Sequence, residues 1–203
     1  MSTISRILSL LLVIAFLMLA GVGYAAEKWA LLVGINKYQY DVSPLRYCVA
    51  DVEAFRQALV NVAGFKPEKV ILMTDEMNNE MQPIHVNIIM QLEVLANRIQ
   101  PDDTFVFYFS GHGMSRDGRS FLLATNSMTN TEGTLEASAV SLDSVSRILS
   151  RVSAQQLLTI IDACRNNPVS GRGDQDNLLT NDFTRGIKIK RLSSVTGKPN
   201  VNA

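Results

Sequence analysis

The chain of 203 residues has few of the residues on which several large protein classes depend. It contains two cysteines, two histidines and one tryptophan, and its 19 Lys and Arg residues are balanced by 19 Asp and Glu residues. With no net charge and no basic stripe interleaved with aromatic residues, the sequence gives no sign of a nucleic-acid-binding surface. Two histidines without other apparent ligands argue against a zinc enzyme.

Several motifs are missing as well. No G-x-G-x-x-G follows the first predicted strand and no P-loop occurs, which argues against a nucleotide-binding domain. The absence of G-x-S-x-G argues against a serine hydrolase. The chain also has no repeat of fixed period and no low-complexity tract. What remains, with 47% hydrophobic residues, is the composition of a globular protein, and the length suits one domain with tails.

The first 26 residues differ in composition from the rest of the chain. One charge, at Arg6, precedes an apolar run that ends at Ala20, and Gly23-Tyr24-Ala25 fits a small-x-small cleavage site. We expect residues 1–26 to be a signal peptide cut near Ala25 or Ala26, so that the protein is secreted or periplasmic. An uncleaved membrane anchor is the alternative, because about twenty uncharged residues follow Arg6, enough to span a bilayer. The rest of the chain lies outside the cytoplasm in both interpretations.

After this leader, apolar runs alternate with stretches of helical periodicity. Helical spacing extends over Tyr47–Phe65, Ile84–Ile99 and, with Ser141 as N-cap, Ser141–Val152. The apolar runs predict strands at Trp29–Asn36, Lys69–Asp75, Asp103–Ser110, Phe121–Thr125 and Gln156–Cys164. Alternating strands and helices predict an α/β domain with a doubly wound, mostly parallel sheet that carries helices on both faces.

Two reactive side chains follow predicted strands, and ligand sites of such sheets lie beyond the carboxyl ends of the strands. In TFVFYFSGHGM, His112 stands between two glycines, whose conformational freedom predicts a sharp turn after Ser110. Cys164 closes the last predicted strand. A cysteine and a histidine on one rim indicate nucleophilic catalysis, in which the imidazole generates the thiolate and protonates the leaving amine. Coincidental placement at two strand ends is the alternative that spacing leaves open.

The local sequence is more specific than the spacing. VFYFSGHG is followed about 50 residues later by LLTIIDACR, and WALLVGINKY and LRYCVADVEAF precede both blocks. These blocks, in this order, resemble the caspase superfamily, and most closely the metacaspases and their bacterial relatives. The resemblance extends from about Lys28 to Pro168. It implies a caspase-like fold with residues 27–168 as the catalytic domain, and it implies a cysteine endopeptidase.

The resemblance also implies roles for individual residues. His112 would be the catalytic histidine and Cys164 the nucleophile, with the backbone N–H groups of Gly113 and Cys164 forming the oxyanion hole. Asp51, Ser110 and Asp162 would line the primary specificity pocket. Because unpaired charge is costly to bury, two carboxylates in that pocket favour cleavage after Arg or Lys. A solvated helix charge for Asp51 and a strand-end cap for Asp162 are the alternatives.

Two further features bear on regulation and cofactors. Cys48, three residues before Asp51, is expected to be a small buried hydrophobic residue near that pocket; the alternative is a disulfide with Cys164 that switches the enzyme off by oxidation. The acidic cluster that binds calcium in some metacaspases is poorly matched, because Asn126 stands where an aspartate is expected and only Asp143 resembles a ligand. We therefore expect no cofactor and no calcium requirement.

Residues 169–203 are rich in Gly, Asn and Asp and then basic, which predicts a flexible loop or linker. Family members continue with a small-subunit region, and this chain ends about where its next strand is expected, so we expect the sheet to lack the small-subunit strands. By the resemblance, Arg172, Arg185 and Lys190 are candidate self-processing sites. The expected partner is a peptide or protein substrate, with membrane contact only if the leader is retained. A catalytically weak module that binds peptides or proteins is the alternative function.

Overall fold

A computed structural model describes residues 25–164 of the chain, with residue 164 described by its backbone alone. The strands are β1 (Lys28–Gly34), β2 (Val70–Thr74), β3 (Thr104–Arg116), β4 (Arg119–Leu122), β5 (Val140–Ser141) and β6 (Gln156–Cys164). The helices are α1 (Cys48–Asn61), α2 (His85–Arg98), α3 (Glu132–Ser138) and α4 (Leu142–Leu149), with short 3₁₀ turns at Pro67–Lys69 and Asn79–Met81. Most of the predicted leader and all of the predicted linker lie outside the described residues.

The strands form one sheet with a parallel part and an antiparallel extension. β2, β1, β3 and β6 are parallel neighbours in that order. The last four residues of β3 pair antiparallel with β4, which in turn pairs with β5. The prediction of a mostly parallel α/β sheet is thereby confirmed. Among residues 25–164, none of the helices combines the length and apolar character needed to cross a membrane.

Both faces of β1 and β3 are buried, which explains why their sequences are continuously apolar rather than alternating; Leu157 and Leu158 of β6 are exposed. On one face, Leu32 of β1 and Val106 of β3 pack against Val52 of α1. On the other face, Phe105 and Phe107 of β3 join a larger cluster to which α2 and α4 contribute. The helices predicted from periodicity therefore cover the two faces as expected.

Gly34 lets α1 pack directly on the carboxyl end of β1. A Cβ atom at this position would lie 2.5 Å from a methyl carbon of Val52 and 2.7 Å from the backbone oxygen of Cys48. Those distances are shorter than a van der Waals contact, so a side chain here would push the helix away from the sheet. The glycine therefore determines how closely the first turn of α1 approaches the strand ends.

Asp103 joins the amino ends of three parallel strands. Its buried carboxylate accepts hydrogen bonds from the backbone N–H of Glu27 (2.7 Å), the indole N–H of Trp29 (3.2 Å) and the backbone N–H of Gln100 (2.9 Å). Its carbonyl accepts the backbone N–H of Gln155 at 2.9 Å, just before β6. A shift of one residue in the pairing of two strands would turn every side chain of a strand to the other face of the sheet. These bonds therefore help set the register of β1, β3 and β6, which continues to their carboxyl ends.

Replacing Asp103 by Ala is expected to lower the free energy of unfolding by about 3 kcal/mol, because it leaves three N–H donors without their acceptor. Urea denaturation followed by circular dichroism measures this loss. Asp102→Ala, at the exposed neighbouring carboxylate, is the matched control and should change the value by less than about 0.5 kcal/mol. Equal effects of the two substitutions would contradict the role given to Asp103.

The prediction that the third strand stops at Ser110 is wrong. β3 stays extended through Gly111, His112 and Gly113, and the chain turns only at Asp117 and Gly118, which have φ angles of 51° and 74°. Positive φ at two successive residues is typical of the tight turn of a β-hairpin. The glycine at position 111 serves packing instead, because a Cβ atom there would lie 3.0 Å from the Phe109 ring and 3.1 Å from the Tyr38 hydroxyl.

Two smaller elements complete the comparison with the sequence. The short strand predicted at Phe121–Thr125 forms as β4, but it begins at Arg119 and runs antiparallel as the second arm of the hairpin. The cap predicted at Ser141 is confirmed, since its hydroxyl accepts the Ser144 N–H at 3.2 Å. α3 has no counterpart among the predicted elements.

Candidate active site

The parallel register places the predicted site residues on neighbouring strands. β3 and β6 pair in register from Thr104 with Gln156 to His112 with Cys164, and Ser110 pairs with Asp162. Adjacent strands are about 4.8 Å apart. The backbone positions predicted for the nucleophile and its base are therefore side by side, and the pair predicted for the specificity pocket lies two residues earlier. This register could not be predicted from the sequence alone.

His112 has one ring nitrogen engaged and one available. Nε2 lies 2.8 Å from the carbonyl oxygen of Ser43. A carbonyl can only accept, so Nε2 carries the proton and Nδ1 keeps its lone pair. Nδ1 is buried and has no hydrogen-bond partner within the described atoms, which do not include the Cys164 side chain. This tautomer leaves Nδ1 as the nitrogen able to accept a proton.

Burial lowers the pKa of His112 below its ordinary value, and the hydrogen bond with the Ser43 carbonyl opposes that change in part. Desolvation acts in this direction because it disfavours the charged imidazolium. The ring is therefore neutral at neutral pH. A general base has to be in this protonation state before the reaction starts.

Tyr38 holds His112 from two directions. Its ring lies against the imidazole with 5.2 Å between the ring centroids and 44° between the ring planes. Its hydroxyl accepts the backbone N–H of His112 at 2.8 Å. The sequence analysis missed both Tyr38 and Ser43. No residue-type signal could have found Ser43, because it contributes only its carbonyl oxygen.

Gly113 follows His112 on β3, and its peptide orientation can be derived from the neighbouring bonds. The Ser110 carbonyl accepts the Ile35 N–H at 3.0 Å, and the His112 carbonyl accepts the Leu123 N–H at 2.9 Å. The His112 carbonyl and the Gly113 N–H belong to one peptide group and point in opposite directions. The Gly113 N–H therefore points away from Leu123, to the edge on which β6 lies. This direction suits the predicted oxyanion hole, whose assignment to Gly113 and Cys164 stays a prediction.

The three residues predicted for the specificity pocket meet around Tyr108. Ser110 is buried and forms a side-chain hydrogen bond with the Tyr108 hydroxyl. Burial raises the pKa of Tyr108, and the negative charges of Asp162 and Asp51 raise it further. Since charges act on a titrating group only at short range, both carboxylates lie near this hydroxyl. Tyr108 was not predicted, although it stands two residues before Ser110 on the same face of β3.

Both carboxylates of this group are exposed, whereas the two hydroxyls beneath them are buried. Asp51 stands in the first turn of α1, where the helix dipole favours a negative charge. Asp162 stands on β6, next to Ser110 in register. Exposure is also what the solvated-charge alternative for Asp51 predicts, so the assignment of both carboxylates to the specificity pocket stays a prediction.

Cys48 begins α1 and is half-buried, and its side chain also acts on Tyr108. It therefore stands near the pocket, as expected. The alternative of a disulfide with Cys164 depends on a side chain outside the described atoms and stays a prediction. The candidate self-processing sites Arg172, Arg185 and Lys190 also lie outside the described residues.

The residues at the calcium position of some metacaspases do not fit a calcium site here. The side-chain oxygen of Asn126 accepts the backbone N–H of His85 at 3.0 Å, at the start of α2. Asp143 is an exposed residue in the first turn of α4. Over residues 25–164, no three His, Cys, Asp or Glu side chains are grouped as metal ligands. Because calcium requires several oxygen ligands, independence from calcium stays our prediction.

A histidine and a cysteine in register at the carboxyl edge of a parallel sheet are the arrangement expected of a caspase-type cysteine peptidase. The family described as "Metacaspase, peptidase C14 domain" matches residues 28–170. The chain belongs to this family, whose members are cysteine peptidases.

Two proteins of similar sequence are named metacaspases, in agreement with the family match. The chain is 38% identical over 90 residues to Metacaspase-1 of Yarrowia lipolytica, which is 44% of this chain and 19% of that protein. It is 39% identical over 88 residues to Metacaspase-1A of Aspergillus terreus, which is 43% of this chain and 22% of that protein. The match thus spans about a fifth of the length of these relatives.

A solved structure shows the same fold. The crystal structure of a protein from Geobacter sulfurreducens matches with a TM-score of 0.53 at 17% identity, covering 68% of this chain and 50% of that chain. At this identity the likeness concerns the fold alone.

Proposed function

We propose that this chain is the peptidase domain of a cysteine endopeptidase that hydrolyses peptide bonds after Arg or Lys. The observation that carries the proposal is the register of β3 and β6, which sets His112 beside Cys164 and Ser110 beside Asp162. His112 and Cys164 carry out the hydrolysis, and Ser110 and Asp162 help select the substrate side chain. The peptide chain to be cut runs across the carboxyl edge of the sheet.

The reaction begins with proton transfer from the Cys164 thiol to Nδ1 of His112. The thiolate attacks the carbonyl carbon of the scissile bond, and the backbone N–H groups of Gly113 and Cys164 stabilise the oxyanion. The imidazolium then protonates the leaving amine, and an acyl-enzyme remains. Water, deprotonated by Nδ1, hydrolyses the thioester and restores the thiol. Throughout, the Ser43 carbonyl keeps the proton on Nε2 and the ring in place.

The specificity follows from the charges at the pocket. Asp51 and Asp162 contribute two negative charges with no ion-pair partner among the described residues. A basic side chain of the substrate neutralises them, whereas an acidic side chain, as in substrates of animal caspases, is repelled. The same geometry therefore favours Arg or Lys before the cleaved bond.

The test measures cleavage of matched fluorogenic peptides ending in Arg, Lys or Asp by the full chain under mild reductant, with and without calcium. We expect cleavage after Arg or Lys that calcium does not change, that Cys164→Ala abolishes and that Cys48→Ala retains in measurable amount. Mass spectrometry of the incubated chain, with Cys164→Ala as control, shows whether Arg172, Arg185 or Lys190 is cut.

Three outcomes would contradict the proposal. Cleavage that persists in Cys164→Ala would assign another nucleophile. Cleavage after Asp alone would contradict the acidic pocket. No cleavage of any peptide, together with saturable binding of the Arg peptide, would favour the peptide-binding module without catalysis.

A further inference from the structure

We propose that Tyr108 is a specificity-determining residue of this pocket and that its hydroxyl makes the enzyme prefer Arg over Lys before the cleaved bond. This inference rests on the proposed function and narrows its substrate class. Its basis is geometric: Tyr108 lies on the same face of β3 as Ser110, which pairs with Asp162. Its ring contacts Phe55, one helical turn after Asp51 in α1.

The ring of Tyr108 is fixed by packing. The side chain is 8% exposed and belongs to the cluster between α1 and the sheet, with Val52 and Ile160. Phe55 of α1 meets it edge-on, with 5.2 Å between the ring centroids and 76° between the planes. Because the packed ring has little freedom, the hydroxyl has a defined position at the base of the pocket.

The surroundings of the hydroxyl are polar although the ring is apolar. The hydroxyl forms a hydrogen bond with Ser110, and it lies within reach of the charges of Asp162 and Asp51. Ser110 is itself 1% exposed, whereas both carboxylates are exposed. The pocket thus has two levels, with charge at its rim and hydroxyl groups at its base.

A guanidinium group can use both levels, and an ammonium group cannot. Arg has five N–H donors in a planar fork, so it can bind carboxylates bidentately and still donate to a hydroxyl oxygen. Lys has three donors on a compact head, which the two carboxylates and water satisfy at the rim. With Lys bound, the ammonium stays at the rim and the base hydroxyls gain no ligand donor, so the Lys complex lacks a hydrogen bond that the Arg complex makes.

The protonation of Tyr108 supports this role. Burial and the two carboxylates raise its pKa, so the phenol stays protonated when the enzyme works at neutral or moderately alkaline pH. A neutral hydroxyl can accept an N–H from the substrate while it donates its own proton to a neighbour.

The test replaces Tyr108 by Phe, which keeps the ring and removes only the hydroxyl. We expect kcat/KM for the Arg peptide to fall about tenfold, mainly through KM, and that for the Lys peptide to fall less than about threefold. Tyr40→Phe is the matched control, because the Tyr40 side chain is 51% exposed; it should leave the Arg-to-Lys ratio unchanged. Thermal unfolding of each variant shows whether its fold is retained.

A binding measurement makes the result independent of turnover. Titration of the Cys164→Ala chain, with and without Tyr108→Phe, against the same Arg and Lys peptides should show the same loss of Arg preference. An unchanged ratio, or an equal loss for both peptides with a lower melting temperature, would overturn the inference and leave the proposed function standing. If the unaltered chain cleaves neither peptide and the Cys164→Ala chain binds neither, both proposals fail.

Discussion

Replacing His112 by Asn is expected to lower kcat/KM for the Arg peptide by about 10³-fold. Asn is polar but shorter than His: its amide ends at the position of Nδ1, cannot accept the thiol proton and gives up the bond that Nε2 makes with the Ser43 carbonyl. Steady-state kinetics on the full chain measures the loss. The only other histidine, His85, offers a matched control: it stands at the start of α2, and His85→Asn should change kcat/KM by less than about twofold.

The pH dependence separates a general base from a merely structural histidine. The base is active when neutral, and burial lowers the pKa of His112, so the ring stays neutral to lower pH than an exposed histidine does. We therefore expect the acidic limb of kcat/KM to lie below pH about 6.5, the ordinary histidine value. A limb well above that value would instead report the ionisation of a thiol, whose ordinary pKa is about 8.5, and would contradict His112 as the titrating base.

The sequence predicted the parallel strands well because their signal is local. A continuous apolar run such as Phe105–Phe109 indicates burial on both faces whatever the chain does elsewhere. The position of the site at the strand ends follows from the same pattern, since parallel strands end at one edge. The family blocks then predicted which residues at those ends take part in catalysis.

What could not be predicted depends on contacts between distant parts of the chain. The register of β3 and β6 is set partly by Asp103 at the opposite end of the sheet. The continuation of β3 through Gly111 depends on Tyr38, which approaches from the loop after β1. The two glycines beside His112 predicted a turn, but Gly111 instead leaves space for the Tyr38 hydroxyl. The Asp117-Gly118 pair carried the true hairpin signal.

The predicted specificity pocket depends on both local patterns and contacts between distant parts of the chain. Tyr108, Ser110 and His112 occupy every second position of one strand, so once β3 is known to be extended its period of two places Tyr108 beside the predicted residues. Only the packing of α1 on Gly34, however, brings Asp51 to the same place. The family resemblance predicted the members of the pocket, and tertiary packing brings them to the same side of the sheet.

Replacing Asp162 by Asn is expected to lower kcat/KM for the Arg peptide by about 100-fold, since a bound cation then loses one of its two carboxylate partners. Asn keeps the shape and removes the charge, so a peptide with neutral citrulline in place of Arg should lose little. Kinetics with both peptides and both proteins forms a cycle that isolates the charge contribution from general damage. Asp51→Asn should give the same pattern.

The control for this cycle is Asp102→Asn, an exposed carboxylate that precedes β3 at the opposite edge of the sheet. A change there alters the net charge equally, so a loss common to all three variants would reflect long-range attraction of a cationic substrate. Long-range attraction weakens steeply with added salt, whereas an ion pair in direct contact weakens less. If Asp162→Asn reduces cleavage of the Arg and citrulline peptides alike, the carboxylate acts on the strand end and does not bind the substrate.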